Sequence, residues 1–241
     1  MSSTTLRARP QRNAERRFFS ATAIVGLLIV VIGFTPTWFM MQWFNAPPLP
    51  WIVHLHGVVF TTWSLLYAAQ TTLVAADRRD LHRKLGVGGA ILGPGLLILG
   101  VAVAIEGAQR GAGGPGRDQL GFLIYPLANI AAFAVLLTTA LLMRSRSAYH
   151  KRLMLLTMLP ILTTPLARIG MMAGSPLPPP LTGMLLADFF LVALAVHDGR
   201  TLGKLHPATL WGGGALLASE LARVIIGKTE AWRALARQIV G

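Results

Sequence analysis

The chain has 241 residues, 54% of them hydrophobic and 13% charged, with no cysteine and a mean hydropathy of +0.58. A soluble domain carries roughly 25% charged residues, so an ordinary soluble enzyme, a disordered tail and a disulfide-stapled secreted domain are excluded. Without cysteine, zinc ribbons, iron–sulfur clusters and thiol catalysis are excluded as well. The net charge of +13 is distributed in a way that serves membrane topology, and no nucleic-acid partner is expected.

What remains is an all-α, polytopic helix bundle in a lipid bilayer. Arg7 to Arg17 supplies five arginines ahead of an apolar run that opens at Phe18. That run is too long for the ~7–15-residue core of a cleaved signal, so the segment reads as an anchor that stays in the protein. A spanning helix needs about 20 mainly apolar residues, and seven windows qualify: 18–43, 51–76, 85–105, 120–143, 153–172, 181–197 and 207–226. Prolines punctuate the joins at Pro47, Pro48 and Pro50, at Pro176 and Pro178 to Pro180, and at Pro207. Residues 1–17 form a basic cytoplasmic segment, 18–226 the seven-helix domain, and 227–241 an amphipathic tail on the outer surface.

Lys and Arg set the orientation. With the N-terminus inside, fifteen of the 22 fall in the inner segments and five in the outer ones, with Arg168 and Arg223 inside spans. The expectation is N-in, C-out, in a bacterial cytoplasmic (inner) membrane. Leu81-His82-Arg83-Lys84-Leu85 recurs as Tyr149-His150-Lys151-Arg152-Leu153, with a weaker echo in Gly203-Lys204-Leu205-His206. This suggests one leader helix followed by three hairpins of like orientation. Gly111 to Gly116 reads as a flexible outer loop.

His82, His150, His197 and His206 stand at inner helix ends. Histidine beside Lys and Arg at an interface serves lipid phosphate in one reading. In the other, neutral imidazoles on facing helices build a metal site, or two of them clamp a b-type haem. From His82 the line Gly86, Gly89, Gly93, Gly100 and Ala104 is bare, which suits close helix packing or room for a flat macrocycle. Met154, one turn from His150, is a thioether ligand or core filler.

On the second helix His54 heads Gly57, Thr61, Ser64 and Ala68, while His56 heads Phe60, Trp63, Tyr67 and Gln70. The two faces lie ~200° apart at ~100° per residue, so the pair cannot chelate one ion. The His54 line belongs inside the bundle. The His56 strip faces lipid, or borders a haem or quinone with His56 as an outer ligand.

Charged groups inside a bilayer face partners or cavities. Arg168, Asp188, Glu220 and Arg223 fall in the outer halves of their helices, with Asn129 and Glu106 nearby. Arg168 with Asp188 and Glu220 with Arg223 read as structural ion pairs or as a buried polar pocket. Phosphate-binding loops, nucleophile elbows and zinc-protease helices are absent from the sequence.

His56-Gly57 through Trp63, Gln70 through Asp80-Leu81-His82-Arg83-Lys84-Leu85-Gly86, Tyr149 through Met154, and His206-Pro207 with Leu210-Trp211-Gly212-Gly213 resemble a group of uncharacterised bacterial multi-pass membrane proteins. The His-Lys-Arg-Leu-Met portion is similar to a His-rich family implicated in cytochrome oxidase assembly. The histidines at helix ends resemble di-haem cytochromes of the b561 kind, although the fourth helix offers no histidine to face His54 or His56. The repeated His-basic-basic-Leu on a glycine-lined face leads to the expectation of a haem b or transition-metal centre near the cytoplasmic surface, with His82 and His150 as ligands and His206 or His197 contributing, in electron transfer or in cofactor handling with respiratory-chain proteins. A cofactor-free transporter or assembly partner using Arg168, Asp188 and Glu220, as a monomer or a homo-oligomer, is the alternative. A lipid-directed metalloenzyme would need Asp80 or Asp198 as its carboxylate.

Overall fold

The computed structural model describes residues 9–111 and 118–241, with side chains from Asn13 onward. Arg7 and most of the glycine-rich loop therefore lie outside the described residues. Helix α1 (Arg9–Phe34) continues into a π-helical turn (Thr35–Phe39), followed by α2 (Trp51–Ala75) and α3 (Arg79–Gln109). Then come α4 (Gln119–Phe122), α5 (Ile124–Leu142), α6 (Ser147–Met172), α7 (Pro179–Leu202), α8 (Pro207–Ile226) and α9 (Glu230–Val240). The seven spans are α1 with its π turn, α2, α3, α4 with α5, α6, α7 and α8, and no strand occurs among the described residues. The chain is thus an all-α, integral membrane protein.

Helices α3 and α6 begin six residues before their apolar windows, at Arg79 and Ser147. A backbone near hydrocarbon keeps its N–H groups bonded internally, and the amides of His82 and His150 bond back to Arg78 and Arg146. Both histidines therefore sit in the first turns of helices rather than in loops. Pro179 and Pro207 open α7 and α8, where a missing N–H leaves nothing unsatisfied. Gly203, in the left-handed region at φ 68°, closes α7.

Helix α6 is the central element. It packs against α1, α5, α7 and α8 and buries Leu155, Leu156, Leu159 and Leu162. Glycine allows its closest approaches. A Cβ on Gly183 would collide with the Thr163 carbonyl oxygen, and one on Gly33 would lie 2.6 Å from Pro165. Small residues let helix backbones touch in this way when no hydrophobic force separates helix from lipid. Ile91, Ile98, Val135, Leu221 and Ile225 remain exposed on the outside, where apolar side chains meet acyl chains.

The same packing decides the bare face of α3. Leu66, Leu137 and Ile130 approach within 3.1 Å of the positions that Cβ atoms on Gly89, Gly93 and Gly100 would take. From Gly89 to Gly100 the face therefore serves contact with α2 and α5, which corrects its reading as a slot for a macrocycle along that stretch. Gly86, nearest His82, is met only by the Gln70 amide, at 3.6 Å from such a Cβ.

Candidate functional site

Three polar clusters occupy the bundle. The first, at the basic end, joins α6, α7 and α8. Arg152 and Asp198 are completely buried, and Arg152 donates to Asp198 Oδ1 from Nε at 2.8 Å and from Nη2 at 2.5 Å. Asp198 Oδ2 accepts from the Thr209 hydroxyl at 2.5 Å and from the His206 amide at 3.1 Å. The Lys151 ammonium pairs with Glu15 of α1, and Arg16 pairs with Asp77 in the α2–α3 turn. Both Asp198 oxygens are occupied in this way, while Asp80 is exposed and turned to Arg78 at 3.4 Å. Of the two carboxylates in the lipid-metalloenzyme reading, Asp198 thus has no oxygen left for a metal or water, and Asp80 stands at the surface.

The second cluster holds the histidines, and it contains two of the four rather than all. The ring centres of His82 and His150 lie 6.4 Å apart with planes at 76°. His150 Nδ1 lies 2.8 Å from the Ala140 carbonyl oxygen, which accepts its N–H and leaves Nε2 as the ring's lone-pair nitrogen. His82 lies against the Gln70 backbone carbonyl. Metal-bound imidazoles are held from behind by such carbonyls.

His197 and His206 do not join them. His197 stacks on Phe18 at 4.1 Å and 6°. His206 caps α8, its Nδ1 accepting the Ala208 N–H at 3.1 Å, with its ring 4.6 Å from that of Tyr149. Among the described residues no group of three or more His, Asp or Glu is placed to hold a metal ion, which corrects the four-histidine site. Met154 packs into the apolar clusters on both sides of α6, as filler does.

The strip on α2 turns inward. Trp63 is 3% exposed and Tyr67 6% exposed, and Trp63 meets Phe133 edge-on at 5.3 Å. The lipid-facing reading of these aromatics is overturned. Trp63 Nε1, Tyr67 Oη, Gln70 Oε1, His56 Nδ1 and His82 Nδ1 are buried without partners. His56 stacks on Phe60 at 4.0 Å and points towards the Leu99 carbonyl of α3. His54 lies on the other face, where its Nδ1 accepts from Trp38 Nε1 at 3.2 Å. Ser64 and Ala68 on the His54 line are buried too.

The third cluster is at the opposite end. Arg223, 2% exposed, donates to Asn129 Oδ1 at 2.5 Å and to Ser219 Oγ at 2.9 Å. Asn129 Nδ2 in turn donates to Thr163 Oγ1 at 2.7 Å. Arg168 does not pair with Asp188: it donates to Thr37 Oγ1 in the π turn at 2.8 Å and lies 4.9 Å from the Phe34 ring centre. Asp188 faces Glu220 instead, with their carboxyl groups within hydrogen-bonding reach. The π turn redirects the end of α1, so the sequence spacing misassigned both partners. Nearby, Arg110 takes Glu106. Outside the spans, α9 is tied down by Trp232 Nε1 to the Leu120 carbonyl at 2.8 Å and by Arg233 to Asp118 at 2.8 Å. Asp118 raises the Arg233 guanidinium above its ordinary pKa.

No protein-family model, curated protein or solved structure matches the chain. The functional reading therefore rests on these residues.

Proposed function

We propose that the protein is a membrane electron carrier, or a handler of a respiratory cofactor, in which His82 and His150 bind one redox metal from opposite sides. The observation that carries this is the spacing of the two rings. With metal–nitrogen bonds of ~2.1 Å and each ring centre ~1.1 Å behind its nitrogen, opposed imidazoles have centres ~6.4 Å apart, and imidazoles at a tetrahedral angle ~5.2 Å. The 6.4 Å found fits the opposed arrangement. His82 and His150 would hold the group, either a cuprous ion that needs no further protein ligand or a haem b whose porphyrin would supply the other donors. The unpartnered Gln70 and His82 atoms fit a site that completes its hydrogen bonding when loaded. When bound, the metal supplies one-electron chemistry. The chain supplies the two imidazoles and the carbonyl that orients His150.

The basic end lies on the cytoplasmic side of a bacterial inner membrane in this reading, by the charge bias of the loops. Spectra and elemental analysis of the detergent-purified protein test it. A Soret band or stoichiometric copper is expected, lost in His82→Ala and in His150→Ala and kept in His197→Ala and His206→Ala. Wild-type protein with neither haem nor metal overturns it.

A second reading draws on the facing carboxyls of Asp188 and Glu220. Two adjacent carboxyls in a low dielectric cannot both ionise, so one of them holds a proton, as a proton-coupled transporter requires. Loss of pH-driven uptake in vesicles bearing Glu220→Gln, with His82→Ala unaffected, would favour it.

A further inference from the structure

The basic end of the bundle carries more cations than its own carboxylates answer. Glu15 holds Lys151, Asp77 holds Arg16, Asp80 holds Arg78 and Asp198 holds Arg152. With those acids engaged, Arg17, Arg79, Arg83 and Lys84 face no carboxylate among the described residues.

Arg17 differs from the other three in its surroundings. A cleft of about 310 Å³ opens between α1 and α2, lined by Asn13, Arg16, Arg17, Ser20 and Ala75. That is the size at which small-ligand sites begin, roughly 300 Å³. Arg16 is neutralised there by Asp77 and also donates to the Ala75 carbonyl at 3.2 Å. Ser20 donates to the Thr71 carbonyl at 3.3 Å. These bonds tie α1 to α2 across the cleft. They leave the exposed Arg17 guanidinium without a counter-charge, with the Asn13 amide one turn before it. A guanidinium fork takes two phosphate oxygens at once, and an amide N–H can take a third.

The face below the cleft distinguishes a lipid from a soluble anion. Arg17 is the last residue before the apolar run that opens at Phe18, so the cleft stands where hydrocarbon meets headgroups. At ~100° per residue, Asn13, Arg17, Ala21, Ile24, Leu28 and Val31 lie within about 40° of one line along α1, and all are exposed. A cationic head thus continues into an apolar track on the same helix face.

We propose that this cleft binds an anionic phospholipid, with its phosphodiester on Arg17 and Asn13 and an acyl chain along Ile24, Leu28 and Val31. Basic pockets between spanning helices on the cytoplasmic side hold such headgroups. The unanswered cations around the cleft repel the ammonium of a zwitterionic headgroup, which selects a lipid of net negative charge. The site needs no metal and stands apart from the redox reading.

The test is native mass spectrometry of the detergent-purified full-length protein, titrated with phosphatidylglycerol or with phosphatidylcholine. Wild type is expected to take up a first phosphatidylglycerol more tightly than phosphatidylcholine. Arg17→Gln should weaken that step roughly fivefold, the effect of one arginine near an anionic surface, and Arg17→Lys should restore most of it. Arg83→Gln removes the same charge from the same end and should leave the step unchanged. Inorganic phosphate in large excess should not displace the lipid. Equal affinity for the two lipids, or equal losses in Arg17→Gln and Arg83→Gln, overturns the site. Displacement by inorganic phosphate overturns the lipid as its occupant in favour of a soluble anion.

Discussion

The two copies of the His-basic-basic-Leu motif behave differently. In the copy at Tyr149–Leu153, His150 bonds to Ala140, Lys151 meets Glu15, and Arg152 is buried against Asp198. In the copy at Leu81–Leu85, Arg83 and Lys84 are exposed and His82 Nδ1 has no partner. One copy is a structural lock whose every polar group is answered. The other is half-buried, its imidazole lying against the Gln70 backbone carbonyl. Similar sequence at matched depth thus divides into a part whose side chains tie helices together and a part whose side chains largely do not.

The largest effect should come from breaking the lock. Arg152→Ala strands the Asp198 carboxylate and should cost about 3–5 kcal/mol, as removal of one member of a buried pair does, measured by denaturant unfolding in mixed micelles. Replacing both Arg152 and Asp198 with apolar residues should recover much of that loss, since such swaps are often neutral. Next comes Asn129→Leu, which removes the carbonyl that accepts from Arg223, for about 1.5–3 kcal/mol by the same assay. Gly183→Ala pushes a methyl at the Thr163 carbonyl and should cost about 1–3 kcal/mol, read as a lowered melting midpoint. Trp232→Phe removes the indole donor to Leu120 and should cost about 0.5–1.5 kcal/mol, visible as faster proteolysis at α9. His82→Ala should be the mildest, within about 1 kcal/mol, because no hydrogen bond from its Nδ1 is lost. A His82→Ala protein as unstable as Arg152→Ala would break the contrast between the two copies.

The spans were readable because a row of about 20 apolar residues suits little besides the interior of a bilayer, and the α8 window coincides with the helix, Pro207–Ile226. The starts of α3 and α6 were not, since hydropathy falls in the basic segments before the helix does. The proximity of His82 and His150 follows from their equivalent places after two short turns. The divergence of His197 and His206 does not: it depends on a stack with Phe18 and on a helix cap, neither of which has a periodic signature. Arg152 with Asp198 escaped notice because both lie near span ends, where charge is ordinary and burial is unexpected. The signal available was a single acid, Asp198, beside His197 in a basic neighbourhood. The Arg168–Asp188 pairing failed for another reason. It assumed ideal helices, whereas the π turn with Pro36 presents Thr37 to Arg168.

The Arg152–Asp198 contact also bears on how the chain is made. As α6 leaves the translocon, its guanidinium has no counter-charge until α7 has been synthesised, and Thr209 arrives later still with α8. Near the end of its span that arginine reaches the headgroup layer until then, and the buried pair closes only when α7 packs onto α6.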